Sequence, residues 1–81
     1  MDDKEIVHRI SELAADVRLL EALFLGGEGL DDDELSRKRD LEVTLDELWD
    51  LLRQRRAKRS AGQDPDSAEV RTAETVETYL Q

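Results

Sequence analysis

Acidic residues near the middle of the chain could supply oxygen ligands to a divalent cation. Five carboxylates lie within residues 28–34, and Asp31, Asp33 and Glu42 occupy positions 1, 3 and 12 of a calcium-binding loop. Position 6 of that loop requires glycine, and here it is Ser36. Helix capping explains the same carboxylates, because Asp is a preferred N-cap residue. Asp31, Asp33 and Glu42 are therefore weak metal candidates, and divalent-ion binding at residues 28–34 is one alternative function.

A basic run at residues 53–59 could contact the phosphates of a nucleic acid. Its cations are Arg53, Arg55, Arg56, Lys58 and Arg59. The whole chain carries a net charge of −9, which repels nucleic acids and anionic membranes. An antiparallel partner helix would place the run beside Asp2, Asp3 and Glu5. We therefore predict internal charge pairing for this run, and regulation through nucleic acid or RNA polymerase is the other alternative function.

No set of reactive side chains is recognisable in the sequence. There is no cysteine, and His8 is the only imidazole. On a helical wheel His8 lies about 160° from the apolar side of its helix, so we expect it to face solvent. There is no Ser/His/Asp or Cys/His set, no P-loop and no Gly-rich fingerprint. We expect a protein that is not an enzyme and that has no cofactor and no small-molecule substrate.

The first predicted helix covers about residues 3–25. Its apolar residues recur at alternating spacings of four and three, which is typical of a helix that packs against other helices. Asp2 and Glu5 match a helix-capping pattern, and three glycines within residues 26–29 should end the helix. The residues predicted to form its interface are Ile6, Ile10, Leu13, Val17, Leu20 and Phe24.

The second predicted helix covers about residues 32–59. Asp31 and Glu34 repeat the capping pattern at its start, and Ser60-Ala61-Gly62 should end it. A short connection between two long amphipathic helices predicts an antiparallel hairpin, which makes residues 1–60 an all-α unit. The residues predicted to form the interface of this helix are Leu41, Leu45, Leu48, Trp49 and Leu52.

Residues 61–81 form an acidic C-terminal tail of different character. Asp64-Pro65-Asp66-Ser67 predicts a turn or a helix start, because proline is tolerated in the first turn. Beyond it, apolar residues are scattered among Thr and Glu. The sequence is compatible with a short helix at about residues 73–80 and equally with an extended tail.

The apolar surface of the two helices is wider than one partner helix can cover. Val7 and Leu25 flank the first apolar row on one side and Leu19 flanks it on the other, while Leu35 and Leu51 flank the second row. Two hairpins packed together would cover this surface, and two-fold dimers are the commonest closed assemblies. We therefore predict a homodimer that forms a four-helix bundle.

The composition also suggests where the protein resides. The acidic opening, Met1-Asp2-Asp3-Lys4, differs from the basic and then apolar start of a secretory signal. The chain has no run of 18 apolar residues and no cysteine for disulfides. These features predict a cytoplasmic protein that does not enter a membrane.

The sequence resembles a family of short actinobacterial proteins of unknown function. The resemblance rests on Leu-Glu-Val-Thr-Leu-Asp-Glu-Leu-Trp-Asp-Leu-Leu-Arg-Gln-Arg-Arg-Ala at residues 41–57, and the opening residues 1–4 and closing residues 76–81 are similar too. It implies a free-standing cytoplasmic protein and no particular activity. Together with the apolar helix surface, it leads to the main hypothesis of a non-catalytic homodimeric adaptor or regulatory subunit that acts through helix–helix contacts.

Overall fold

Two long α-helices dominate the computed structural model, which describes residues 1–70 and, at residues 27 and 28, only the backbone. Helix α1 spans Asp3–Leu23 and continues into a π-helical turn at Phe24–Glu28. Helix α2 spans Asp32–Ser60, and a 3₁₀ turn follows at Pro65–Ser67. No strand occurs within the described residues. The all-α prediction is confirmed for them, whereas the helix suggested at about residues 73–80 lies outside them.

Side-chain caps fix where the helices begin. Asp2 Oδ1 accepts a hydrogen bond from the Glu5 backbone N at 2.8 Å and so starts α1. At α2, Asp31 Oδ1 accepts from the Glu34 N at 2.7 Å, and Glu34 Oε1 accepts from the Asp31 N at 3.1 Å. These reciprocal bonds are a complete capping box, which satisfies backbone donors that the helix itself leaves unpaired.

The turn between the helices differs from the simple glycine stop that the sequence predicts. The chain passes through the π-helical turn and reverses at Gly29, whose φ of +72° lies in the left-handed region that favours glycine. Phe24 keeps α-helical backbone geometry, and its N–H still donates to the Leu20 carbonyl. It is predicted to continue the α1 interface, but it lies where α1 ends and the chain turns, outside the buried cluster, and is 58% exposed.

The core lies between α1 and α2. Ile6, Ile10 and Leu13 contact Leu48, Leu51 and Leu52, and Leu41, Leu45 and Ala68 pack against this cluster. Val17 and Leu20 are also buried. Most of the predicted interface residues therefore pack against the other helix of the same chain, which is the predicted hairpin. Leu51, predicted to flank the interface, is in fact part of the core, and Trp49 remains 45% exposed.

Neither helix has, within residues 1–70, an apolar stretch long enough to cross a bilayer.

Candidate interaction surface

Arg55 joins both ends of the hairpin through its guanidinium group. Its side chain is almost completely buried. Nε donates to Asp3 Oδ1 at 2.6 Å, and Nη1 donates to Asp66 Oδ1 at 2.9 Å and to the Pro65 carbonyl at 3.3 Å. Arg55 thus connects the start of α1, the end of α2 and the 3₁₀ turn. The predicted charge pairing within the chain is confirmed at this position.

The other cations of the basic run differ in their surroundings. Arg59 Nη2 lies 3.0 Å from Asp3 Oδ2, and Arg53 Nη2 lies 3.8 Å from Asp50 Oδ1. Within the part of the chain that the structure describes, Arg56 and Lys58 form no ion pair. Two of the five residues suggested for nucleic-acid contact, Arg55 and Arg59, are therefore already engaged by Asp3.

The pair of arginines changes the titration of Asp3. The hydrogen bond from Arg55, with help from Arg59, holds the pKa of the Asp3 carboxyl below its usual value, because both cations stabilise its ionised form. The Asp3 hydrogen bond likewise raises the pKa of Arg55, so this guanidinium remains charged at every pH of interest.

We expect Asp3→Asn to make the melting temperature less dependent on pH under acidic conditions. A carboxyl with a lowered folded-state pKa stabilises the protein above its unfolded pKa of about 3.9, and this contribution is lost as the pH falls through the folded value. The melting temperature of the wild type should therefore decline more steeply than that of Asp3→Asn below about pH 4. Thermal melts followed by circular dichroism between pH 2 and 7 test this expectation, and Asp2→Asn is the matched control. Equal slopes in wild type and Asp3→Asn would contradict it.

Two of the three acidic residues proposed as metal ligands serve other roles. Asp31 caps α2, and Glu42 Oε1 accepts a 2.5 Å hydrogen bond from Lys38 Nζ. Glu42 follows Asp31 by eleven residues, about 16 Å along a helix. Among residues 1–70, no three His, Cys, Asp or Glu side chains are close enough together to hold a metal ion. The candidates Asp31, Asp33 and Glu42 are not brought together.

His8 occupies an exposed position on α1. Its side chain is 78% exposed, and Nε2 lies 2.9 Å from Glu12 Oε1, one turn further along the same helix. This location agrees with the predicted solvent-facing position.

One long side of the hairpin, which we call the open side, carries exposed apolar residues. On this side, Lys38 Nζ of α2 lies 4.0 Å from Glu21 Oε1 of α1, and we use this ion pair to define the open side. Trp49 follows Lys38 by eleven residues, close to three helical turns, and therefore projects from the same side of α2. Leu35 precedes Trp49 by fourteen residues, close to four turns, and is 46% exposed.

An apolar groove lies at the turn end of the open side. We call it the tip groove; its volume is about 350 Å³, and its lining comprises Glu21, Phe24, Leu25, Leu30, Leu35 and Lys38. Leu25 is 82% exposed, which makes it the most exposed large apolar residue of the described chain. The ammonium group of Lys38 is held at the groove by Glu42, and that hydrogen bond raises the pKa of Lys38. Apolar walls and one fixed cation suit an aromatic or aliphatic side chain.

Comparison with known proteins matches residues 2–81 to the family described as "Protein of unknown function (DUF2630)". The chain belongs to this family. Uncharacterized proteins of Mycobacterium bovis and Mycobacterium tuberculosis are each 43% identical to it over 77 residues, which cover 95% of this chain and 88% of theirs. No solved structure is significantly similar to the chain. The resemblance to an actinobacterial family of unknown function is thereby confirmed.

This DUF2630 chain also contains a polar contact that the sequence did not reveal. Asp50 is only 2% exposed, and its Oδ2 accepts a hydrogen bond from Gln54 Nε2 at 3.0 Å. Gln54 Nε2 also donates to the Glu69 carbonyl at 2.7 Å. The i, i+4 spacing of Asp50 and Gln54 is compatible with such a bond, but many exposed pairs share that spacing. Like Arg55, Gln54 ties the segment after α2 to the hairpin.

Proposed function

We propose that this protein is a non-catalytic helical interaction protein of the cytoplasm, an adaptor or regulatory subunit that works as a homodimer through the open side of its hairpin. The observation that carries the proposal is the division of the apolar residues into two sets. One set is buried between α1 and α2, whereas Leu35, Trp49 and the tip groove stay accessible. The second set adds little to folding of the single chain and is available for association.

The exposed indole of Trp49 supports this proposal energetically. Tryptophan buries large areas at interfaces and is the residue most enriched among binding hot spots. Covering about 100 Å² of exposed indole stabilises an association by roughly 2.5 kcal/mol. A two-fold interface contains each contact twice, so a dimer would cover two such side chains.

The charged residues support a role without catalysis. Asp31 and Glu34 complete a capping box, Asp3 pairs with two arginines, and Lys38 pairs with Glu42. Groups of a catalytic site have perturbed pKa values and converge on a cleft. Here the lowered pKa of Asp3 has a structural cause, the ion pairs with Arg55 and Arg59.

We expect light scattering behind a sizing column to give a mass near twice 9.3 kDa at micromolar concentrations. Trp49→Ala should weaken the dimer about 1,000-fold, because each dimer loses two anchors of about 2 kcal/mol. Leu19→Ala is the matched control, since Leu19 is 65% exposed but lies on the other side of α1; its dimer should stay within about threefold of the wild type. A mass of 9.3 kDa for the wild type at every concentration would contradict the homodimer.

A further inference from the structure

The tip groove and Trp49 are placed symmetrically about one residue of α2. Leu35, in the wall of the groove, precedes Glu42 by seven residues, and Trp49 follows Glu42 by seven residues. Seven residues are close to two helical turns, about 10.5 Å along the axis. All three residues therefore lie near one line on the open side of α2, with Glu42 at its centre.

We propose that a second copy of this chain docks antiparallel on the open side, with a two-fold axis at Glu42, so that each copy inserts Trp49 into the tip groove of the other. This inference rests on the proposed homodimer and specifies its register. With a two-fold axis at Glu42, residue i in the α2 helix of one copy faces residue 84 − i in the α2 helix of the other. Position 49 of one copy then meets position 35 of its partner, and both grooves are filled at once.

The tip groove suits an indole in size and chemistry. Its volume of about 350 Å³ lies within the range of roughly 300–1,000 Å³ that is usual for binding pockets. Leu25, Leu30 and Leu35 supply apolar walls. Lys38 lies beside them with its ammonium fixed by Glu42, and a cation near the face of a tryptophan ring is favourable.

The same two-fold axis also places residues of opposite charge next to each other outside the groove. Asp31 and Arg53 both lie eleven residues from Glu42, so they meet in each half of the dimer. Lys38 and Asp46 both lie four residues from Glu42 and meet in the same way. Charge complementarity of this kind fixes register and disfavours other alignments of the helices.

Glu42 is the only residue of α2 that faces the same residue of the other copy, and Lys38 partly neutralises its charge. Lys38 Nζ hydrogen-bonds Glu42 Oε1 at 2.5 Å within each chain. Two carboxylates on the axis therefore come with two ammonium groups. A substitution that removes the Glu42 charge relieves the repulsion between the two carboxylates and leaves Lys38 able to pair with Asp46 of the other copy, so the dimer should stay intact.

Self-crosslinking of single cysteines tests the register, because the natural chain has no cysteine. In Glu42→Cys, the two thiols face each other across the axis within reach of a disulfide. Arg53→Cys is a control on the same side of α2; its copies lie about 16 Å on either side of the axis, roughly 33 Å apart. Ser36→Cys is an exposed control on another side of α2. Mild oxidation followed by non-reducing electrophoresis measures the crosslinked fraction, and light scattering measures assembly before oxidation.

We expect Glu42→Cys to form a covalent dimer at least tenfold faster than Arg53→Cys or Ser36→Cys. Trp49→Ala in the Glu42→Cys background should slow crosslinking by a similar factor. If the chain is dimeric by light scattering but Glu42→Cys crosslinks no faster than the controls, the register is wrong and the proposed function stands. If the chain is monomeric at every concentration, both proposals fail.

Discussion

Replacing Ile6 by alanine is expected to lower the free energy of unfolding by about 3 kcal/mol, within the usual range of roughly 2–5 for such truncations. Ile6 is fully buried within the cluster between α1 and α2, so removing three side-chain carbon atoms leaves a cavity in that cluster. A domain of 81 residues has about 4–12 kcal/mol of stability in total. Urea denaturation at fixed protein concentration, followed by circular dichroism, measures the change.

The adjacent residue provides the control for this prediction. Val7 is 46% exposed, and Val7→Ala should cost less than about 1 kcal/mol, partly because alanine favours the helix more than valine does. The two variants thus separate burial from general effects of a mutation in α1. If Ile6→Ala and Val7→Ala lowered the free energy of unfolding equally, α1 would not direct Ile6 toward α2.

The fold of residues 1–60 is largely predictable because its signals are local or periodic. The apolar spacing identifies the faces that pack together, and two capping patterns predict the starts of α1 and α2, which the hydrogen bonds of Asp2 and Asp31 confirm. Charge pairing between the helices follows from an antiparallel arrangement, and Asp3 with Arg55 confirms it. Each of these features depends on residues that are close in sequence or related by one packing geometry.

The candidate interaction surface was harder to predict because it depends on the turn and on the segment after α2. Phe24 lies at the π-helical turn, outside the buried core, and lines the tip groove, and no residue type signals such a turn. Leu51 is buried where the segment returning past Ala68 packs against the core. The sequence marks the turn at Pro65 but not the direction that the chain takes afterwards.

Trp49 illustrates the limit of the apolar pattern. It lies beside the row that includes Leu45 and Leu52, so the pattern predicts packing but does not say whether the partner belongs to the same chain. Trp49 remains 45% exposed in the structure, because α1 covers the centre of the row and not its edge. The pairing of Trp49 with the tip groove needs the three-dimensional positions of both, and so it remains the proposal that the crosslinking experiment tests.

Arg55→Ala is expected to lower the melting temperature by about 10 °C or more, a large effect for a residue outside the apolar core. The truncation removes three hydrogen bonds that join α1, α2 and the 3₁₀ turn, and it leaves Asp3 and Asp66 as neighbouring negative charges. It also removes the aliphatic part of a buried side chain. Thermal melts followed by circular dichroism at pH 7 and fixed protein concentration measure the shift.

Two further variants show which property of Arg55 matters. Arg56→Ala removes an exposed arginine next in the chain and should change the melting temperature by no more than about 2 °C, because isolated surface charges contribute little. Arg55→Lys keeps the charge but cannot donate in two directions from one planar group, so it should recover only part of the loss. If lysine restored the full melting temperature, charge alone would hold the segment after α2, and the directed bonds to Asp3, Asp66 and Pro65 would be dispensable. If Arg55→Ala melted like Arg56→Ala, the basic run would be a surface feature without a structural role, and the whole run would again be available to a ligand.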